Sequence, residues 1–354
     1  MLLEDFRPRS ALVGPSTLVN RPRFPVIDAH NHLGEEFGGG WIHRPVSELL
    51  DVLDEAGVRL YIDLDGGWGE QILHDHLEHL EPAIPDRFRV FGGVDWTAWH
   101  EHNDRFGEWA ASRLRLQASR GAAGLKVWKA FGLHVRDHKG QLVSVDDPRL
   151  DVLWATAGEL KLPVIIHVAD PVAFFEPLDE TNERWEELQA HPDWHFPRSA
   201  RPPFPRFISI LTGMANLIQR HPQTVFIGAH VGCYAENLAW VGALLDRCPN
   251  FYVDISARIG ELGRQPYTAR KFFLDYADRI LFGLDFGPDL DVYRLQYRFL
   301  ETADEYFNYN TTEVPMQGRW YVCGLYLPDE VLEKVYYRNA QRIFGTRIIA
   351  DERG

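Results

Sequence analysis

Four histidines and one aspartate each stand near the end of a short apolar run, and together they carry the donor atoms of a metal site. His30 and His32 lie one residue apart in VIDAHNH (26–32), where strand alternation would turn Asp28 and both imidazoles to one side. Each residue alone is more often a cap or a hydrogen-bonding group. As a set, however, imidazoles with one carboxylate suit zinc or a similar divalent ion, which lowers the pKa of bound water to about 7. The remaining members are His167, His230 and Asp285.

Eight apolar runs of strand length alternate with helical patterns along the chain. This order matches a closed parallel (β/α)8 barrel, in which the C-terminal ends of all strands meet at one mouth, so the five residues would converge there. A doubly wound open sheet is the alternative, but the glycine-rich phosphate turn expected after its first strand is missing. The runs are VIDAHNH (26–32), RLYIDLD (59–65), FRVFGGVDW (88–96), AGLKVWKAF (123–131), PVIIHVAD (163–170), TVFIGAH (224–230), FYVDISA (251–257) and RILFGLD (279–285).

The pattern predicts a single barrel domain over 1–354, with an N-terminal extension at 1–24 and two long connections. The connections, 170–207 after strand five and 286–328 after strand eight, leave the mouth and are candidate substrate loops. A hairpin at 133–145 with its turn at Lys139-Gly140 leaves the same rim after strand four. Asp147-Pro148 has the sequence of a helix start, and 328–345 is predicted to close the barrel as the eighth helix.

Composition narrows the possible partners. The formal net charge of −14 would repel a nucleic-acid backbone. Three scattered cysteines do not form a disulfide framework, and no uncharged apolar run approaches the length of a membrane span. We therefore expect a cytoplasmic protein that acts on a small molecule, without a nucleic-acid or membrane partner. A homo-oligomer is possible by analogy with related barrels.

The motifs DAHNH, IIHVAD, IGAHVG and FGLDFGPD together resemble the metal-dependent amidohydrolase superfamily, specifically its amidohydrolase-2 branch, related to the aminocarboxymuconate-semialdehyde decarboxylases. The resemblance spans roughly 24–345. It implies that His30, His32 and His167 ligate a divalent metal, zinc first, with manganese or iron as alternatives. It also implies that Asp285 is a ligand or takes the proton of bound water, and that His230 is a base, an electrophile or a ligand. The chain departs from the family at Leu284, where Thr or Ser is common.

Strand four offers two lysines, Lys126 and Lys129. In two-metal relatives a lysine here is carbamylated and bridges both ions. Alternation places Lys129 with the apolar Leu125 and Val127 toward the helices, so Lys126 should face the barrel interior. A plain amine paired with Asp28 or Asp285 is an equally good explanation of Lys126.

Three further residues are candidate substrate contacts. Arg258, just past strand seven, could bind a substrate carboxylate, although an ion pair with Glu261 or a bond to a loop carbonyl is the somewhat better explanation. Trp68 at the end of strand two could line the pocket or pack at its rim, and Trp128 in strand four, on the same face as Lys126, could contribute to an aromatic pocket. The histidines of HDHLEH (74–79) lie on the second helix, and we interpret them as a solvent-exposed face.

Two reaction classes fit these residues. A hydrolase would attack an amide, lactone or ester with metal-activated water, and Asp285 and His230 would move the proton. A non-oxidative decarboxylase would use the same scaffold on an aromatic or unsaturated acid, with a cationic anchor in an aromatic pocket. Hydrolysis has the simpler requirements, so the sequence favours it. A non-catalytic barrel is disfavoured, because a binding scaffold does not need an open metal position.

Overall fold

Eight parallel strands form the core of the computed structural model, which describes residues 10–345. Pairing is continuous among the first three strands and among the last five. Backbone bonds link the two sheets at both seams: Gly92 N–H donates to Gly124 O, and Ala29 N–H donates to Phe282 O. The strands are β1 Val26–Asn31, β2 Val58–Asp63, β3 Phe88–Val90, β4 Leu125–Val127, β5 Val164–Ile166, β6 Phe226–Gly228, β7 Phe251–Asp254 and β8 Ile280–Leu281. The predicted (β/α)8 barrel is confirmed.

Helices cover the outer face of the strands, which explains why each strand reads as an apolar run. The first helix buries Leu49, Leu53 and Ala56 at helical spacing and ends at Gly57, whose φ of 79° suits glycine. The barrel helices are Val46–Ala56, Glu70–Leu80, Phe106–Ser119, Asp151–Glu159, Phe207–Arg220, Leu238–Arg247 and Pro266–Asp275. The chain closes with Asp329–Glu333, the π-helical turn Lys334–Arg338 and Asn339–Phe344, which pack on β1 and β8 as predicted.

The connections at the mouth carry structure of their own. The hairpin after β4 forms through an antiparallel bridge between Arg136 and Leu142, with Gly140 at φ 74° in its turn. Asp147 caps the next helix through the Arg149 N–H, as its sequence predicts. Short helices also lie at Trp99–His102, Trp185–Ala190 and Ile259–Arg264.

The connection after β8 begins with a helix, Leu290–Glu301, that the sequence analysis did not identify. It buries Tyr293, Tyr297 and Leu300. The predicted N-terminal extension is described from Ser10 onward, and its first nine residues lie outside the described part of the chain. Thr17 in this extension donates its backbone N–H and its hydroxyl to Asp304. Within residues 10–345 no helix is both long and apolar enough to cross a membrane.

Candidate metal centre

Strand one and the end of strand eight bring two histidines onto one carboxylate. His30 Nε2 lies 3.2 Å and His32 Nε2 3.0 Å from Asp285 Oδ1. The Asp285 N–H donates to the His30 carbonyl at 2.7 Å, so backbone contact fixes the distance between the two segments. Both imidazoles are buried, whereas the Asp285 carboxylate is 26% exposed toward the mouth. The convergence expected from the barrel is therefore present for these three residues.

His230 reaches the same place from a left-handed turn after β6. His230 and Val231 have φ near 60° and ψ near 45°, and Gly232 and Cys233 continue with positive φ. The turn is closed by the Cys233 N–H donating to Ala229 O at 2.8 Å. Left-handed backbone costs about 1–2 kcal/mol for each non-glycine residue, so surrounding contacts must hold it. It places the His230 ring 4.9 Å from that of His30, and Nε2 3.8 Å from Asp285 Oδ2.

Asp254 at the end of β7 is the contact that holds these histidines. Its Oδ2 accepts from His30 Nδ1 at 2.9 Å, and its Oδ1 accepts from the His230 N–H at 3.1 Å. Ser256 donates its N–H and its hydroxyl to the same Oδ1. Burial alone would raise the pKa of Asp254, but the adjacent His30 outweighs it and the pKa lies well below its usual range. An ionised Asp254 requires the proton of His30 on Nδ1, which leaves the lone pair of Nε2 facing the centre.

Asp65, after β2, holds His32 in the same way. His32 Nδ1 lies 2.7 Å from Asp65 Oδ1, while the N–H groups of Leu33 and Gly34 donate to Oδ2. Burial lowers the pKa of His32, but hydrogen bonds with Asp285 and Asp65 outweigh it and raise the pKa to about 9. A metal at this position would therefore compete with a proton on His32.

His167 lies beside His230 but is turned toward a different carboxylate. The two rings are 4.5 Å apart, and His167 Nε2 is 3.3 Å from Asp170 Oδ1. Burial lowers the pKa of His167 to about 4, so its imidazole is neutral and able to ligate. Lys129 pairs with the other oxygen of Asp170 at 2.7 Å. The expectation that Lys129 faces the helices is wrong, because β4 ends at Val127 and the alternation stops with it.

Asp28 does not join the site, contrary to simple alternation along strand one. Its oxygens accept from the Tyr293 hydroxyl at 2.6 Å and the Leu284 N–H at 3.2 Å. The reason is a register irregularity in β1 between Asp28 and Asn31. This arrangement also removes Asp28 as a partner of Lys126.

Lys126 faces the barrel interior, as alternation predicts. Its side chain is buried, with Nζ 3.0 Å from His30 Nε2 and 4.7 Å from the centre of the Trp128 ring. Burial lowers the pKa of Lys126 to about 8, although Asp285 and Asp254 oppose the shift. About one amine in ten is then neutral at pH 7, and carbamylation requires the neutral amine, so the bridging role stays a prediction.

Aromatic rings form a wall next to His32. Trp128 stacks on His32 with centroids 5.4 Å apart, and Trp68 stacks on Trp128 at 3.8 Å. Phe37 lies 5.5 Å from His32, and both Phe37 and Trp68 are more than two-fifths exposed. Gly67 allows this approach, because a Cβ there would lie 2.8 Å from Trp128 Nε1. The wall therefore presents apolar surface to the mouth.

Arg258 is a buried cation close to His230. Its Nη1 donates to Ala257 O at 2.8 Å, and within residues 10–345 it forms no ion pair. Of the two partners expected as alternatives for Arg258, a loop carbonyl is therefore the one observed, because Glu261 pairs with Arg184 instead. Burial, followed by the charge of Arg258, holds the pKa of His230 well below its usual range. A guanidinium with one backbone partner retains donors for an anion.

The histidine cluster on the second helix is not a uniformly exposed face. His74 is exposed and His79 is half-buried, but His76 is buried and its Nδ1 lies 2.5 Å from Asp63 Oδ2. The interpretation of HDHLEH is wrong at His76, because this position turns inward onto the end of β2.

The donor set at the mouth fits a divalent cation. His30, His230 and Asp285 each place one ligand atom within 4.8 Å of the others. With the proton of His30 on Nδ1, its Nε2 lone pair lies 3.2 Å from Asp285 Oδ1 and accepts from the Lys126 amine at 3.0 Å, so a cation bound to both acceptors would replace the Lys126 contact. His230 Nδ1 lies 3.0 Å from the Ser256 carbonyl, which likewise leaves Nε2 as an acceptor. Imidazole and carboxylate donors suit zinc or manganese.

Comparison with known proteins agrees with this geometry. The model of the amidohydrolase family matches residues 27–346. No curated protein matches the chain. Among solved structures, the chain is similar to 2,6-dihydroxybenzoate decarboxylase from Rhizobium, with TM-score 0.53, 18% identity and coverage of 91% of this chain and 99% of that one.

Two further solved structures contain manganese. One is dihydroxybenzoic acid decarboxylase from Polaromonas sp. JS666 with 2-nitroresorcinol, with TM-score 0.54, 17% identity and coverage of 91% and 97%. The other is 5-carboxyvanillate decarboxylase from Novosphingobium aromaticivorans, with TM-score 0.51, 15% identity and coverage of 92% and 97%. These likenesses concern the fold, whereas the family match extends over most of the sequence. The chain belongs to the amidohydrolase family.

Proposed function

We propose that the protein is a metal-dependent non-oxidative decarboxylase of an aromatic acid. The observation that carries this proposal is the pairing of an aromatic wall with a buried cation at one mouth. Trp68 and Trp128 offer ring surface beside His32, and Arg258 lies near His230 without a carboxylate partner among the described residues. Decarboxylation needs both features, because the ring must be held while its carboxylate is neutralised.

The proposed metal ligands are His30, His32, His167 and Asp285, with His230 as a proton-transfer group or additional ligand. When bound, a divalent cation would hold the substrate oxygens and draw electron density from the ring. Asp285 and His230 would carry the proton that the ring carbon gains as CO2 leaves, since Oδ2 and Nε2 lie 3.8 Å apart at the mouth. Manganese is supported by the two similar structures that hold it, and zinc by the donor set.

Hydrolysis by metal-activated water is the competing function, and the sequence alone favours it. Its requirements are met by the same donors and by the same Asp285–His230 pair. It does not, however, account for the aromatic wall or the cation. The substrates named for the similar structures add to this preference, since these proteins are decarboxylases of hydroxylated aromatic acids.

An assay of both reactions separates the two functions. The protein, loaded with manganese or with zinc, is incubated with 2,6-dihydroxybenzoate and 5-carboxyvanillate, and CO2 is measured beside loss of the acid. A panel of lactones and amides is run in parallel, with Asp285→Asn as the inactive control. CO2 release that depends on metal and on Asp285 is expected; turnover of lactones or amides alone would establish the hydrolase instead.

A further inference from the structure

A buried ion cluster lies behind Arg258 and joins two parts of the rim. Arg184 in the 170–207 connection is 1% exposed and donates from Nη1 to Glu187 at 2.6 Å. Its Nη2 bonds Glu261 in the helix Ile259–Arg264. One guanidinium thus holds two carboxylates that would otherwise be buried without a partner.

Arg258 stands directly before that helix and is close to both carboxylates. Its charge acts to lower the pKa of Glu187 and of Glu261, although other effects contribute more in each case. Even so, neither carboxylate is within ion-pairing distance of Arg258, whose hydrogen bond is to Ala257 O. Glu261 Oε2 has no hydrogen-bond partner among the described residues, so this oxygen remains able to accept a bond.

We propose that Arg184 is a positioning residue that keeps Glu187 and Glu261 away from Arg258, so that the Arg258 guanidinium stays available for the substrate's carboxylate. The inference rests on the proposed function for the identity of that anion. Without Arg184, two buried carboxylates would lie near one remaining buried cation, and pairing with Arg258 would be their nearest compensation. The charge of the Arg258 guanidinium would then be neutralised by a carboxylate of the protein itself.

The position of Arg184 is fixed by further contacts of the 170–207 connection, one with the same helix and one with Arg319 in the 286–328 connection. Arg264 pairs with Glu183 at 2.7 Å, and Arg319 pairs with Glu186 through two nitrogens. These pairs are more exposed than the Arg184 cluster. Arg264→Gln is therefore a matched control, since it breaks a contact between the two segments without releasing a carboxylate beside Arg258.

Binding of a charged and an uncharged ring tests this role. The manganese-loaded protein is mixed rapidly with 2,6-dihydroxybenzoate and with resorcinol, which lacks the carboxylate, and binding is measured by tryptophan fluorescence before turnover begins. Arg184→Gln should weaken binding of the acid about tenfold or more and that of resorcinol less than about twofold, as expected for a lost charged hydrogen bond. Arg264→Gln should change the affinities for the acid and for resorcinol by the same factor. The neutral triple variant R184Q/E187Q/E261Q should recover most of the acid's affinity.

Two outcomes would overturn the role. One is an equal loss for acid and resorcinol in R184Q, which would indicate a structural contribution only. The other is that Glu261→Gln alone weakens acid binding as much as R184Q does, because removing a carboxylate near Arg258 should leave that binding unchanged or tighter.

A crystal structure of R184Q tests the inference without any ligand. Arg258 bonded to Glu187 or Glu261 is expected, and Arg258 still bonded only to Ala257 O would refute the inference. If wild-type protein binds neither ring, the proposed function fails, and the crystal structure alone decides the role of Arg184.

Discussion

Asp254→Asn tests whether one carboxylate organises the metal centre. Asp254 Oδ1 accepts from three groups: the N–H of His230, and the N–H and hydroxyl of Ser256. An asparagine would keep its oxygen at that position and place its NH2 where Oδ2 now faces His30 Nδ1 at 2.9 Å. Two donors would then oppose each other, so the proton of His30 would move to Nε2 and remove the lone pair that faces Asp285.

The expected loss of metal affinity is about 10–100-fold, or about 1.4–2.7 kcal/mol, which is typical when the carboxylate behind a ligating histidine is replaced. Competition with a fluorescent chelator measures it directly for zinc and manganese. Asp28→Asn is the matched control: Asp28 is equally buried, but its oxygens face Leu284 and Tyr293 rather than the centre. Unchanged metal affinity in D254N, or an equal loss in D28N, would refute the reasoning.

Three further results are expected. Burial raises the pKa of Asp28 from 3.8 to about 7, so the folded state binds a proton that the unfolded state has released. The free energy of unfolding therefore falls as pH rises from about 4 to 7, by up to about 4 kcal/mol. Urea unfolding of D28N should lack this decline, and equal pH slopes for both proteins would contradict it. His30→Ala and Asp285→Asn should lower turnover by several orders of magnitude while circular dichroism stays unchanged; full activity in either would exclude the assigned role. At Val231, where φ is 59°, the Val231→Gly variant should be more stable than Val231→Ala by about 1 kcal/mol in urea unfolding, because alanine is strained at a left-handed position. This is the reverse of the order in a right-handed helix. A more stable alanine variant would argue against the left-handed turn.

The fold could be predicted from the sequence because each of its signals is local. Strands buried on both faces must be apolar runs, and their alternation with helical patterns leaves few architectures. The helix Leu290–Glu301 was missed because its inward face includes Tyr293 and Tyr297, and tyrosines in a segment rich in acids resemble an exposed loop. Their burial depends on tertiary contacts, among them the bond from the Tyr293 hydroxyl to Asp28.

The candidate site could be predicted only where a side chain stands at the end of a strand. His30, His32 and Asp285 converge as expected, whereas Asp65 and Asp254 were not identified. Both follow apolar runs, RLYIDLD and FYVDISA, in the same pattern that pointed to Asp285, so the signal was present. Alternation failed at Asp28 and Lys129, where a register shift and a strand end interrupt it.

The left-handed turn at His230 could not have been predicted from periodicity, yet it determines how the site is assembled. A strained turn persists only when other contacts fix it, and Asp254 supplies one by binding the His230 N–H while also fixing the tautomer of His30. The same carboxylate therefore joins the ends of strands one, six and seven. Because these bonds are made by protein groups alone, a metal that enters the centre would have to displace protons rather than order the chain. As the pH is lowered, the affinity for the metal should therefore fall much more than the stability of the barrel does.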